Sequence, residues 1–190
     1  SALWCARVTR LFLSKRSMKN LDLTNKRKNA WGTGLIFNHA IDSIQNVTVA
    51  AGFTREISEN ANNTSLFRNA YGLGLAYNFV HTTYGLDLER QVTKNQGDKR
   101  TKNEVRAIVR QGLNEDWNVY AMYAYKTDKH SNNTDRTRQF MVGTEYYVFN
   151  QGSLKVKPFL EWQATRTKYE NSTVDRSRDF KTVIGLRAYW

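Results

Sequence analysis

The side chains best suited to chemistry in this chain are cations that recur on one parity of alternating segments. Arg106 and Arg110 lie four residues apart, and Arg7, Lys126, Lys157, Lys181 and Arg187 hold the matching parity of other segments. A guanidinium offers a planar fork of donors that fits a carboxylate, whereas an ammonium acts as a compact point charge. Such groups capture anions and break no bond. Catalysis by proton transfer or covalent attack needs a nucleophile or activated water beside a positioned base. The histidines are His39, His81 and His130; the first two fall at short turns and the third in a polar loop with Asp128 and Asp135. That setting argues against an enzyme. The single Cys5 can form no internal disulfide and stands in no metal-ligand spacing, so neither metal nor cofactor is expected.

A sheet is the element that can hold those cations together. Period-two alternation recurs along all 190 residues, and helical periodicity is nearly absent. It predicts ten strands, near 2–13, 29–38, 46–56, 67–79, 82–92, 103–113, 117–127, 138–149, 154–166 and 179–190. Each is close to the length that crosses a bilayer when tilted, and longer than the usual strand of a soluble sheet. No composition shift divides the chain, so residues 1–190 read as one domain. No 18-residue apolar run is present, which excludes a transmembrane helix. The chain lacks an initiator Met and a signal-peptide pattern, so either a signal has been removed or this is a fragment.

The connections alternate in character. SKRSMKNLDLTNKRK, ISENANNTSL, TKNQGDKRT, DKHSNNTDRT and TKYENSTVDRSR read as long polar loops, while NHAIDSIQN, VHT, GLNED and NQGS are shorter. Long loops at one end, short turns at the other and an even strand number are the pattern of bacterial outer-membrane barrels.

The faces of the strands point the same way. One parity collects Trp31, Leu35, Phe37, Tyr71, Leu73, Leu75, Leu86, Leu88, Val105, Val109, Phe140, Leu160, Trp162, Ile184 and Leu186, together with Trp4, Trp117 and Trp190. The other collects glycine, alanine and charge. A soluble barrel or sandwich puts the apolar face inside. Here a charged inner face predicts that the apolar set meets lipid, with aromatic residues gathered near strand ends at headgroup height. The last strand, FKTVIGLRAYW, alternates in the same way and ends on an aromatic residue, as outer-membrane targeting signals do. The expected fold is therefore an all-β transmembrane antiparallel up-and-down β-barrel in a bacterial outer membrane.

The stretch NKRKNAWGTGLIFN, the hairpin rhythm that follows and the ending IGLRAYW resemble the oligogalacturonate-specific porin family, which includes sialic-acid channels; the similarity spreads over residues 20–190. The resemblance implies a narrow, monomeric barrel of twelve strands with an arginine-rich lumen that passes acidic sugars. The ten strands counted here match the last ten of such a barrel. Either a first hairpin is missing or this is a ten-stranded barrel.

The net charge of +12 implies an anionic partner. Nucleic acid is not expected, because no recognition motif or helix accompanies the charge. The expected function is an outer-membrane channel for passive diffusion of small anions, with acidic oligosaccharides suggested by the resemblance and the seven cations above lining the pore. Two alternatives stand beside it. Those cations could pair with Asp87, Glu89, Glu104, Glu145 and Glu161 and fill the barrel. The barrel could also be non-conducting and adhesin-like, binding surface polyanions through its basic loops; whatever the lumen does, outer-membrane lipid and lipopolysaccharide are expected partners of those loops.

Overall fold

A strand with one polar and one apolar face must satisfy both. The computed structural model of the protein describes residues 7–18, 25–60, 65–131, 133–151, 154–170 and 176–189. Trp4, Cys5 and Trp190 lie outside the described residues. Among the described residues all regular structure is β, in a single sheet. The strands are β1 (Arg7–Met18), β2 (Asn25–Ala40), β3 (Gln45–Asn60), β4 (Ser65–Phe79), β5 (Thr82–Asn95), β6 (Asp98–Gly112), β7 (Trp117–His130), β8 (Asn133–Tyr146), β9 (Phe149–Gln151), β10 (Leu154–Lys168) and β11 (Arg176–Tyr189). Each pairs antiparallel with the next, from β1 through β8 to β10 and β11; the three-residue β9 lies off this path and pairs with β10. Among the described residues β1 is paired with β2 alone and β11 with β10 alone.

Ten long strands in meander order agree with the alternation. Their limits do not, and the differences concentrate at one end. β5 and β6 zip up to a two-residue turn, Gln96 (φ 47) and Gly97 (φ 91). Two consecutive left-handed residues make the tight hairpin whose twist matches that of its strands. TKNQGDKRT is therefore strand and turn, not a long loop. DKHSNNTDRT is corrected likewise: β7 runs to His130 and β8 begins at Asn133. Both faces are polar in these extensions, so alternation could not mark them as strand.

At the opposite end, side chains tie the turns. Asp42 accepts hydrogen bonds from the Ile44 amide (2.9 Å) and the Gln45 side chain (2.8 Å). Asn114 accepts from the amides of Asp116 and Trp117 at 2.9 and 2.7 Å. Both are local turn closures that Asx residues favour.

The apolar parity stays in register from strand to strand. Leu35, Ala51, Leu73, Leu88 and Val105 form one cross-strand row. On β4 the apolar row runs from Tyr71 to Phe79, about 26 Å along the strand at ~3.3 Å per residue. Aromatic clusters mark its two ends. Trp31, Phe53 and Tyr71 (centroids 5.2 and 5.0 Å apart) and Phe140, Trp162 and Phe180 (6.5 and 6.1 Å) lie toward the extended hairpins; Tyr77 and Tyr84 (6.3 Å) lie toward the short turns.

On the polar face two glycines sit beneath rings. A Cβ at Gly143 would lie 2.5 Å from the ring of Tyr120, its partner across the strands, and one at Gly185 would lie 2.5 Å from the ring of Phe159. Each aromatic side chain lies over backbone that only glycine leaves bare. Gly143→Ala is expected to lower the free energy of unfolding by about 1–3 kcal/mol through overpacking. Gly72→Ala puts its methyl into open space and is expected to stay within about 0.5 kcal/mol of the parent. Urea midpoints of the two variants check this; equal midpoints would contradict it.

Candidate functional site

The sheet curls, and its polar face is the concave one. Glu145 on β8 shows this most directly. It is ion-paired with Arg110 two strands away on β6, with Lys157 on β10 (3.1 Å) and with Arg187 two strands away on β11 (3.0 Å). Strands stand ~4.8 Å apart, so a flat sheet would hold these groups much farther from one carboxylate. Tyr120 on β7 reaches likewise to Glu161 on β10, donating a 2.6 Å hydrogen bond. Arg187 closes the network with 2.6 Å to Glu161 and stacks its guanidinium over Phe159, 4.1 Å from the ring centroid.

Two members of this knot are the most shielded charged groups among the described residues. Glu145 is 3% exposed and Lys157 is 5% exposed. The aliphatic and aromatic set is the reverse: Leu75 is 46% exposed, Tyr71 47% and Ile184 80%. Charge is inside and hydrocarbon is outside.

A second cluster lies along the same face. Arg106 contacts Glu104 at 2.9 Å and Asp87 at 3.8 Å, and Lys126 contacts Glu104 at 3.4 Å. Glu89 faces Glu104 directly across the β5–β6 pair. Two like charges opposite one another are unfavourable, and Arg106 and Lys126 offset that repulsion. Across from these charges the wall made by β3 and β4 is thin, with Ala50, Gly52, Ala70, Gly72 and Gly74 presenting little or no side chain. A cavity of about 460 Å³ is lined by this thin wall together with Asp87, Glu89, Glu104 and Arg106 on the neighbouring strands.

A third cluster sits beyond the apolar belt, toward the extended hairpins. Arg100 grips Asp128 with two hydrogen bonds, Nε to Oδ1 at 2.7 Å and Nη2 to Oδ2 at 2.6 Å, and Lys102 stands 3.6 Å away. The guanidinium's hydrogen bonds hold the Asp128 carboxyl below the usual carboxylate range, against the smaller opposing effect of its partial burial.

The sequence-predicted cations divide as follows. Arg110, Lys157 and Arg187 converge on Glu145, while Arg106 and Lys126 converge on Glu104. Lys181 joins neither group and stands opposite Gln163 in register. Arg7 opens β1, and its side chain lies outside the described residues. Arg106 and Arg110, four residues apart on β6, belong to two separate ion-pair clusters, as in the alternative in which these cations pair with carboxylates. Within the two clusters five cations, Arg106, Arg110, Lys126, Lys157 and Arg187, meet four carboxylates, Asp87, Glu104, Glu145 and Glu161, so the paired charges nearly cancel. Sequence reasoning missed Tyr120 and Phe159 as parts of the knot; the glycines opposite them in register, Gly143 and Gly185, were the available signal.

In comparison with known proteins, no family model and no curated sequence matches the chain.

Removing the shared carboxylate should expose the knot's dependence on it. Glu145→Gln leaves Lys157 buried beside two further cations and is expected to cost about 3–5 kcal/mol, whereas Lys181→Ala is expected to stay within about 0.5 kcal/mol; chemical denaturation distinguishes them. Asp128 supplies a pH test. Its carboxyl is depressed on folding, so its contribution is complete above the unfolded-state carboxylate range and fades as pH falls through the lower folded value. The stability difference between the parent and Asp128→Asn should therefore be constant from about pH 7 to about pH 5 and close only in more acid solution.

Proposed function

We propose that this sheet closes into a transmembrane β-barrel of a bacterial outer membrane and works as a narrow, passive pore for small anions. The observation that carries the reading is the inverted partition. Glu145 and Lys157 are shielded from solvent on the concave side while Leu, Ile, Phe and Trp side chains stand exposed on the convex side. In water that arrangement forfeits about 25 cal/mol for each Å² of apolar surface left uncovered. Hydrocarbon removes the cost. An apolar row of five residues spanning nine positions on β4, edged by aromatic clusters, fits the span of a tilted membrane strand. Antiparallel closure also removes the two exposed edges that β1 and β11 otherwise present.

The conduit is the cavity beside the thin wall of β3 and β4, since the Glu145 knot fills the other side. Because interior cations are largely matched by carboxylates, preference for anions arises at the mouth. There Lys94, Lys99, Arg100, Lys102 and Lys129 gather at the ends of the extended hairpins and concentrate anions by their field. The resemblance to oligogalacturonate-specific porins makes acidic oligosaccharides the favoured solute class, and the same family implies a monomer.

The knot supports a second reading. If its ion pairs fill the lumen, the barrel conducts nothing and its basic rim binds polyanions at the cell surface. Planar-bilayer recording separates the two. The pore reading predicts small current steps that favour anions and are reduced by an acidic oligosaccharide. It also predicts that Arg106→Glu with Arg110→Glu lowers the anion preference. A silent protein that still retains a sulfated polysaccharide supports the second reading.

A further inference from the structure

Outside the concave face, a cluster of cations on β8, β10 and β11 meets no carboxylate among the described residues. β8, β10 and β11 are in continuous register, and their convex parity forms successive cross-strand rows. Two rows are largely apolar: Val142, Trp162 and Thr182, then Phe140, Ala164 and Phe180. The next two consist of cations alone: Arg138, Arg166 and Arg178, then Arg136, Lys168 and Arg176. All six are exposed. Rows two residues apart are ~7 Å apart along the strand, and neighbouring strands are ~4.8 Å apart. Six positive charges thus share a patch about 10 Å wide and two rows deep, immediately beyond the aromatic edge of the belt.

Like charges directly opposite across strands destabilise a sheet, so such rows need a counter-charge. None of the six is ion-paired with a carboxylate among the described residues. The nearby acids are otherwise placed: Glu170 accepts from the Thr134 amide, Asp135 accepts from the Glu170 amide at 3.4 Å, and Asp179 holds the concave parity opposite Thr165. Arg100, by contrast, is held by Asp128 on the other face.

We infer that this patch is a binding site for a lipid whose headgroup carries more than one phosphate, seated on the convex side of β8, β10 and β11. The inference rests on the membrane orientation proposed above. The aromatic cluster of Phe140, Trp162 and Phe180 would lie at headgroup height with the acyl chains below it, and the cation rows would stand at the phosphates. Arginine dominates, five to one, which suits bidentate contact with phosphate oxygens. Two stacked rows exceed what a single monoanionic headgroup could neutralise, and therefore favour a headgroup with several phosphates. The convex position separates this site from any solute in the lumen.

The test uses the full chain in zwitterionic detergent micelles doped with diphosphoryl lipid A, with native mass spectrometry reading bound lipid. The parent should retain the lipid, and Arg138→Ser with Arg166→Ser and Arg178→Ser should weaken retention at least tenfold. Arg138→Lys with Arg166→Lys and Arg178→Lys, which keeps the charge, should retain most of it, and inorganic pyrophosphate at equal concentration should not displace the lipid. Equal retention by the serine variant, or displacement by pyrophosphate, overturns the proposal. Flotation with purely zwitterionic vesicles separates its failure from that of the membrane reading. If the parent floats and the serine variant binds lipid A unchanged, the patch is wrong and the membrane reading stands; if the parent does not float, both fall.

Discussion

A charge taken out of water needs a counter-charge, and an apolar side chain needs something other than water against it. This protein meets the first requirement internally and leaves the second to its surroundings. Glu145 has three cations within reach and almost no solvent. The attraction among these groups holds β6, β8, β10 and β11 in one curve, because only a curled sheet brings Arg110 and Arg187 to the same carboxylate. The convex surface follows as a consequence. Once the interior is occupied by ion pairs, the apolar parity has nowhere to go but outward.

The same constraint orders charge along the strands. Within the belt, cations and carboxylates are nearly matched on the concave side. Beyond it, toward the extended hairpins, the balance shifts to cations on both faces: Arg100 and Lys102 on the concave side, and the rows from Arg136 to Arg178 on the convex side. Much of the chain's excess charge is thus found where a bilayer would present headgroups and solution in place of hydrocarbon. A pore with such a mouth and so balanced an interior would select solutes at entry and leave passage to the width beside Gly72 and Gly74.

The alternation made the strand order and the parity of each face legible, because period two survives wherever one face is apolar. Strand ends were less legible. From Asp98 to Asn103, and again from Asn133 to Gln139, both faces are polar, so pairing there is fixed by hydrogen bonds and the Gln96–Gly97 turn, not by burial. The pairing alternative names carboxylates that the concave-face cations contact, Asp87, Glu104, Glu145 and Glu161, but not which cation goes to which. Arg106 and Arg110 read as neighbours on a strand, yet they answer to different carboxylates: Arg106 to Glu104, two residues away on the same strand, and Arg110 to Glu145, two strands away, which no local pattern encodes. The ring-over-glycine contacts of Tyr120 with Gly143 and Phe159 with Gly185 depend on register, which is settled only when the sheet is assembled.

That the convex side of this sheet faces acyl chains is the proposal on which pore, solute and lipid site all depend. It is tested most directly by tryptophan fluorescence of a variant that keeps Trp162 as its sole indole, reconstituted into vesicles. Strong quenching by lipids brominated near the top of the acyl chain, with little quenching by aqueous iodide, is the expected result. Efficient quenching by iodide with no response to brominated lipid would place that face in water and contradict the account.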